Sequence, residues 1–241
     1  MAGAVAALLS AALLSGCAGA AGSSSLPPPC KSTPPPGVEV KVYFGCGCFW
    51  HMQHAFVLLE MSEVCRRDSN LTARAAYAGG TKTGPNGLVC YHNAQGVADY
   101  GSLGDAEVVS MSVPEAAFGK FASKFWELCG GGTRQDTQDP GAEYRSVVGL
   151  PGGVRSPLMA KLQERAGSVR LVAGRGDDGD TLGTGQVLVY DTAAFPAHTA
   201  ERYHQFHDDM MESYGSAYNA LQHWAADTSC PGDGPLRVLL E

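Results

Sequence analysis

Apolar and polar residues alternate from Val38 to Gly45, VEVKVYFG, a period of two that predicts a strand ending in glycine punctuation. The period then lengthens. Met52, Ala55, Phe56 and Leu59 stand at i, i+3, i+4 and i+7, one stripe of a helix. Leu71 to Tyr77 reads as a strand closed by Gly79-Gly80, followed by a polar, Gly-rich loop from about Thr81 to Gly104. Ala106 to Val113 reads as a second strong strand. Period two puts Glu107 on the face of Val109, Met111 and Val113, so a carboxylate points toward apolar neighbours. Ser112-Val-Pro-Glu115 has the form of a capping box, and Phe118, Phe121, Ala122 and Phe125 repeat the helical stripe. A turn-rich loop spans residues 130–146. A strand is expected over Arg145–Leu150, a helix over Ser156–Ala166 and a strand over Gly185–Tyr190. From Thr199 a long helix is expected, with Tyr203, Phe206, His207 and Met210 on one face. Strands alternating with helices give the α/β class, as an α+β sandwich.

The N-terminus is patterned differently. Residues 2–16 are small, apolar and uncharged, and Ala18-Gly19-Ala20 offers a cleavage pattern, so residues 1–22 read as a leader for export or an organelle. The apolar run is shorter than a membrane span needs, so no stable span is expected. Leu14-Ser15-Gly16-Cys17 offers the alternative of a lipid anchor through Cys17. The Pro- and Ser-rich residues 23–37 form a spacer, 38–225 the folded domain and 226–241 a flexible tail.

Composition narrows the class. A chain of 241 residues with 44% hydrophobic content supports one packed domain, and a net charge of −7 without a basic run argues against nucleic acid as a partner. Residues 173–185, AGRGDDGDTLGTG, lack calcium-loop spacing and read as a solvated turn. The six cysteines after residue 37 are irregularly spaced, which suits reduced thiols with one or two reactive members.

The candidate chemistry centres on FGCGCFW, Phe44 to Trp50. Cys46, Cys48, His51 and His54 are zinc-type ligands, but within nine residues they are more cramped than the usual separated pairs. A Cys46–Cys48 disulfide would be strained by its short loop. A nucleophile remains: Cys48 falls at a helix start, where unpaired N–H groups favour thiolate. An inert buried cysteine is the ordinary alternative for any single Cys.

Gly47-Cys48-Phe49-Trp50 resembles the signature of the A-type peptide methionine sulfoxide reductases. Tyr77-Ala78-Gly79-Gly80, Gly104-Asp105-Ala106-Glu107-Val108-Val109, Arg134-Gln135 with Asp139-Pro140-Gly141-Ala142-Glu143-Tyr144-Arg145-Ser146, and Ala200-Glu201-Arg202-Tyr203-His204-Gln205 resemble further blocks of that family in the same order. The resemblance implies a mixed sheet with packed helices around a ferredoxin-like core. It also implies a reductase of methionine S-sulfoxide, free or in proteins, serving protein repair. Cys48 would attack the sulfoxide sulfur and become a sulfenic acid. Phe49 and Trp50 would wall the S-methyl group, and Glu107 would give the oxygen its proton, with a pKa raised by its apolar face. Asp139, Tyr144 and Tyr91 match the family's polar partners. No bound cofactor or metal is implied, and thioredoxin or another dithiol would supply electrons.

There are departures. Asp105 stands where the family has His, and on one strand face with Glu107 it would raise that carboxyl further. His51 and Gln53 replace residues at the pocket rim. The family's Gly-rich tail with resolving cysteines is not recognisable, and the late cysteine, Cys230 in the flexible DTSCPGDGP, is the expected resolving thiol. Two rivals follow: a member that has lost turnover and serves as a binding domain, or a metal-binding protein.

Overall fold

The alternating residues after Val38 become β1 (Glu39–Gly45), the middle strand of a seven-stranded sheet. The computed structural model describes residues 26–30, 35, 37–130 and 139–232. The expected leader with Cys17, Arg134 and Gln135, and the end of the tail lie outside the described residues. β1 is antiparallel to β3 (Ala106–Pro114) on one side and to β4 (Val147–Leu150) on the other. Beyond β3 lie β2 (Arg74–Ala78) and the two-residue β7 (His198–Thr199), both antiparallel additions. Beyond β4, β6 (Gln186–Asp191) and β5 (Arg170–Ala173) run parallel to it. The sheet is mixed and the class α/β, with order β5-β6-β4-β1-β3-β2-β7. β5 escapes a pattern reading because its four residues are only half-buried or exposed and show no alternation.

Period two sends consecutive β1 side chains to opposite faces. Phe44 joins the larger core under α1 (Phe49–Leu59) and α2 (Phe118–Leu128), where its ring lies 5.1 Å from Phe56 and 5.4 Å from Phe125. Such aromatic pairs add about 0.5–1.5 kcal/mol each beyond the area they bury. Tyr43 faces the other way, into a smaller cluster with Val108, Val147, Leu188 and Tyr190, and its hydroxyl donates to the Phe195 carbonyl.

Five expectations are corrected. The capping box is not used: β3 runs through Pro114, pairing Ser112 with Lys41, and α2 starts at Phe118 without a side-chain cap. The Ser156–Ala166 helix is trimmed to α3 (Met159–Gln163). The long helix from Thr199 does not form. A single 3-10 turn (Arg202–His204) stands there, then Phe206 in a left-handed conformation and a loop before the short α4 (Ser216–Asn219). The cause is Gln205, whose side chain accepts from Ala75 N–H and donates to the Ala75 and Ala200 carbonyls, fastening this segment to β2 as sheet-edge structure. Gln53, expected at a pocket rim, is buried in the same network, donating to Gln205 and accepting from Phe206 N–H.

The cysteines are the fifth correction. Three disulfides join Cys30 to Cys65, Cys46 to Cys129 and Cys90 to Cys230; Cys48 is the free cysteine among the described residues. Cys30 thus ties part of the expected spacer to the domain, where Arg67 also donates to the Pro28 carbonyl. Cys230 is not the mobile thiol its surroundings suggested: it is buried and bonded to Cys90. No helix among the described residues is long and apolar enough to cross a membrane.

Candidate active site

β1 delivers the chain to a tight turn and α1 leaves from it. Gly47 takes a positive φ of 77°, and its N–H donates to the Tyr144 carbonyl at 3.0 Å. Gly45 is needed for a different reason: a Cβ there would strike the Glu107 carbonyl, so glycine lets β1 lie close to β3. Cys48 is the extended residue that caps α1, and Phe49 begins the helix.

The start of α1 has unpaired N–H groups, and two carboxylates from elsewhere in the chain meet them. Cys48 N–H donates to Asp139 Oδ2 and Phe49 N–H to Glu107 Oε2, both at 2.9 Å. A cavity of about 140 Å³ opens beside them. Cys48, Phe49, Trp50, Tyr91, Glu107, Asp139 and Tyr144 all line it, joined by Asp209 and Met210. The structure therefore brings together the seven residues that the motifs singled out around one space, and leaves Cys230 outside it. Trp50 stacks on His207 at 4.4 Å and Phe49 lies 5.9 Å from Tyr77, which fixes the aromatic wall from behind. Tyr91 is held by its N–H, which donates to Glu201 Oε1; Tyr77 O–H donates to the other oxygen of that buried carboxylate.

Electrostatics assign the protons. Burial, reinforced by the charges of Asp139 and Glu143, pushes Glu107 up to about 8, against the pull of the Phe49 N–H and the Tyr100 hydroxyl. A carboxyl so placed keeps its proton at neutral pH. Burial raises Tyr91 to about 12 and Tyr144 higher still, so both phenols remain donors. Cys48 corrects an expectation. Burial and then Glu107 drive its pKa far above the ordinary value, outweighing the lowering contact from the Trp50 backbone. The resting group is a thiol, because tertiary burial overrides the helix terminus.

Asp105 is a second correction. It precedes β3 rather than lying in it, after Gly104 at a φ of 85°. Its Oδ1 accepts from Gly80 N–H at 2.7 Å, and it faces Arg145 and Tyr43 on the smaller-cluster side, not Glu107. Burial raises Asp105 to about 6, opposed by Gly80 and Arg145. An acid with a pKa higher folded than unfolded holds its proton more tightly when folded. Stability is therefore lost as pH rises from about 4 to 6, by roughly 2–3 kcal/mol for a shift of this size. Asp105→Asn should remove that share of the pH dependence; urea titrations of both proteins at pH 4 and pH 7 that change in parallel would exclude it.

The cramped zinc set is dispersed. Cys46 is bonded to Cys129, His51 lies 3.7 Å from Asp209, and His54 stacks on Tyr214. Among the described residues, ligand atoms of Cys90, Glu201 and Cys230 lie within 4.8 Å of one another, but the two sulfurs are bonded and Glu201 is occupied by Tyr77 and Tyr91. Sequence reasoning missed Asp209, Met210, Tyr100 and Glu143. The first two sat in an expected helix, Tyr100 in an unpatterned loop, and Glu143 inside a motif whose other positions drew attention.

No family model and no curated protein matches the chain. Among solved structures it is similar to methionine sulfoxide reductase A of Corynebacterium diphtheriae, with a TM-score of 0.44 and 18% identity, covering 71% of this chain and 74% of that one.

Proposed function

We propose that the chain is a thiol-dependent reductase that converts methionine S-sulfoxide, free or in proteins, to methionine. One observation carries this reading: an unbonded thiol, an aromatic wall and a carboxyl buried enough to stay protonated converge on one small cavity. A sulfoxide needs those three things. Its methyl group needs an apolar wall, its oxygen a proton, and its sulfur a soft nucleophile.

Phe49 and Trp50 hold the methyl group while Tyr91 and Tyr144 donate to the oxygen. Glu107 protonates that oxygen, which makes the sulfur electrophilic, and Cys48 Sγ attacks it. The sulfur gains two electrons, the oxygen passes to Cys48 as a sulfenic acid, and methionine leaves. The thiol hydrogen returns to Glu107, so this stage is proton-neutral. Asp139 holds the turn through Cys48 N–H. With Cys230 bonded, an external dithiol such as thioredoxin reduces the sulfenic acid, with no bound cofactor. The preference for the S epimer rests on the motif resemblance. The three disulfides support export to an oxidising compartment.

The test is methionine formation from separated sulfoxide epimers with dithiothreitol. The S epimer should be reduced by the wild type and not by Cys48→Ser. Equal turnover by both proteins would refute the assignment.

A further inference from the structure

The reductase reading leaves one need unmet, and this inference rests on that reading. Regenerating Cys48 removes the sulfenic oxygen as water and returns a buried thiol, which takes two protons per turnover. The dithiol donor attacks as thiolate and sheds its own protons to bulk solvent. A donor that reaches Cys48 must enter the cavity that Cys48 lines, and so stands between Glu107 and the solvent at its mouth. Glu107, only 2% exposed, must then be recharged from another side.

A line of polar groups leads away from Glu107 on the side opposite the α1 terminus contact. The Tyr100 hydroxyl lies 3.5 Å from Glu107 Oε1 and 3.2 Å from Glu143 Oε2. His92 Nε2 lies 3.1 Å from that same Glu143 oxygen, and its Nδ1 is 2.6 Å from Asp99 Oδ2. The ring of Tyr100 is fully buried, whereas the His92 side chain is 46% exposed. The chain thus runs from the buried acid to solvent in three steps, each within or close to hydrogen-bond reach. Asp99 orients the imidazole, and Ser102 N–H fixes Asp99 in turn. Gly101 is shaped to this arrangement: a Cβ there would collide with the Glu143 carboxylate. The other groups facing Glu107 are Cys48, Asp139, Tyr91 and Tyr144, which line the cavity that the donor covers, and Tyr77, which donates to buried Glu201.

We propose that Tyr100, Glu143 and His92 form a proton relay that reloads Glu107 from solvent while the dithiol reductant occupies the cavity. His92 takes a proton from water and passes it to Glu143. Tyr100 gives its hydroxyl proton to Glu107 and recovers one from Glu143. In the first regeneration step, the donor thiolate, the Cys48 sulfenic acid and one Glu107 proton give a mixed disulfide and water. In the second, the donor's other thiolate closes the donor disulfide, and the Cys48 thiolate takes a second proton from reloaded Glu107. Tyr100, Glu143 and His92 are positioning residues, since none touches the substrate.

The experiment separates the two stages by rapid quench. The first is methionine formed in a single turnover without reductant; the second is regeneration by dithiothreitol. Glu143→Gln keeps the shape but cannot carry a proton, and Gly101→Ala displaces Glu143 without changing a titratable group. Both should slow regeneration about tenfold, with the first turnover slowed no more than about twofold, at the modest end of acid–base effects because dithiothreitol, far smaller than a protein donor, covers only part of the cavity mouth. Imidazole buffer should restore regeneration in Glu143→Gln in proportion to its concentration. Regeneration at the wild-type rate in both variants, or an equal loss in both stages without a buffer response, would overturn the relay alone. No methionine from the wild type would overturn the reductase reading, and the relay with it.

Discussion

Glu107→Gln should lower the rate of methionine formation by about 10²–10⁴-fold, the usual contribution of a positioned acid. The amide still accepts a hydrogen bond from Phe49 N–H, so the turn that presents Cys48 stays in place. What is lost is the proton. The pH dependence gives the sharper signature. Glu107 is raised to about 8, chiefly by burial, so it is protonated and active below that pH and deprotonated above it. First-turnover rates of the wild type should be flat through neutral pH, then fall about tenfold per unit above pH 8, as the fraction of one protonated acid does. The variant should be slow throughout, without that alkaline limb. A limb of the same shape in Glu107→Gln would assign the ionisation to another group, with Cys48 the first to examine. Proteins compared at pH 7 alone would show the loss of rate but not its cause.

A large effect on stability should come from the Cys46–Cys129 disulfide. Both residues are fully buried, and they are 83 positions apart, so the bond closes a long loop of the unfolded chain. Loop-closure entropy gives about 4.5 kcal/mol for a loop of this length. Replacing both cysteines by alanine should therefore lower the melting temperature by about 10 °C, scaling from a domain of 150–250 residues. Calorimetry of the double variant against the wild type measures it. A shift under about 3 °C would mean that the unfolded chain is already constrained, or that the bond relieves nothing in the native state. Cys46 also bears on the site, since it sits two residues before the free thiol. Its bond to Cys129 makes Cys46 a fixed point of the turn rather than a second free thiol, so in the proposed reaction a sulfenic acid at Cys48 would be left for an external donor.

The fold and the site were unequally legible, and particular residues show why. β1, the turn at Cys48 and α1 were readable because the hydrophobic period changes from two to 3.6 within a few residues, a signal carried by neighbours in the chain. Glu107 was readable in the same way: the period of β3 alone puts its carboxylate on the apolar face. Asp105 failed that rule because Gly104 turns the backbone just before the strand begins, and alternation means nothing outside a strand. The segment after Thr199 has a helical stripe, yet Gln205 binds the backbone of β2, a partner 130 residues away that no local window contains.

By itself, then, the sequence determined the α/β class, the strand-to-helix turn, the thiol at its tip and the acid aimed at an apolar face. Each follows from short-range periodicity and residue chemistry. Only the tertiary structure decided which cysteines are bonded, that Cys48 rests as a thiol and that Asp105 belongs to the opposite side of the sheet. It also decided that Tyr100, Glu143 and His92 connect Glu107 to solvent. Those properties depend on distances between residues far apart in the chain and on how completely water is excluded. A local pattern records neither, because burial and pairing belong to the packed molecule rather than to any stretch of it.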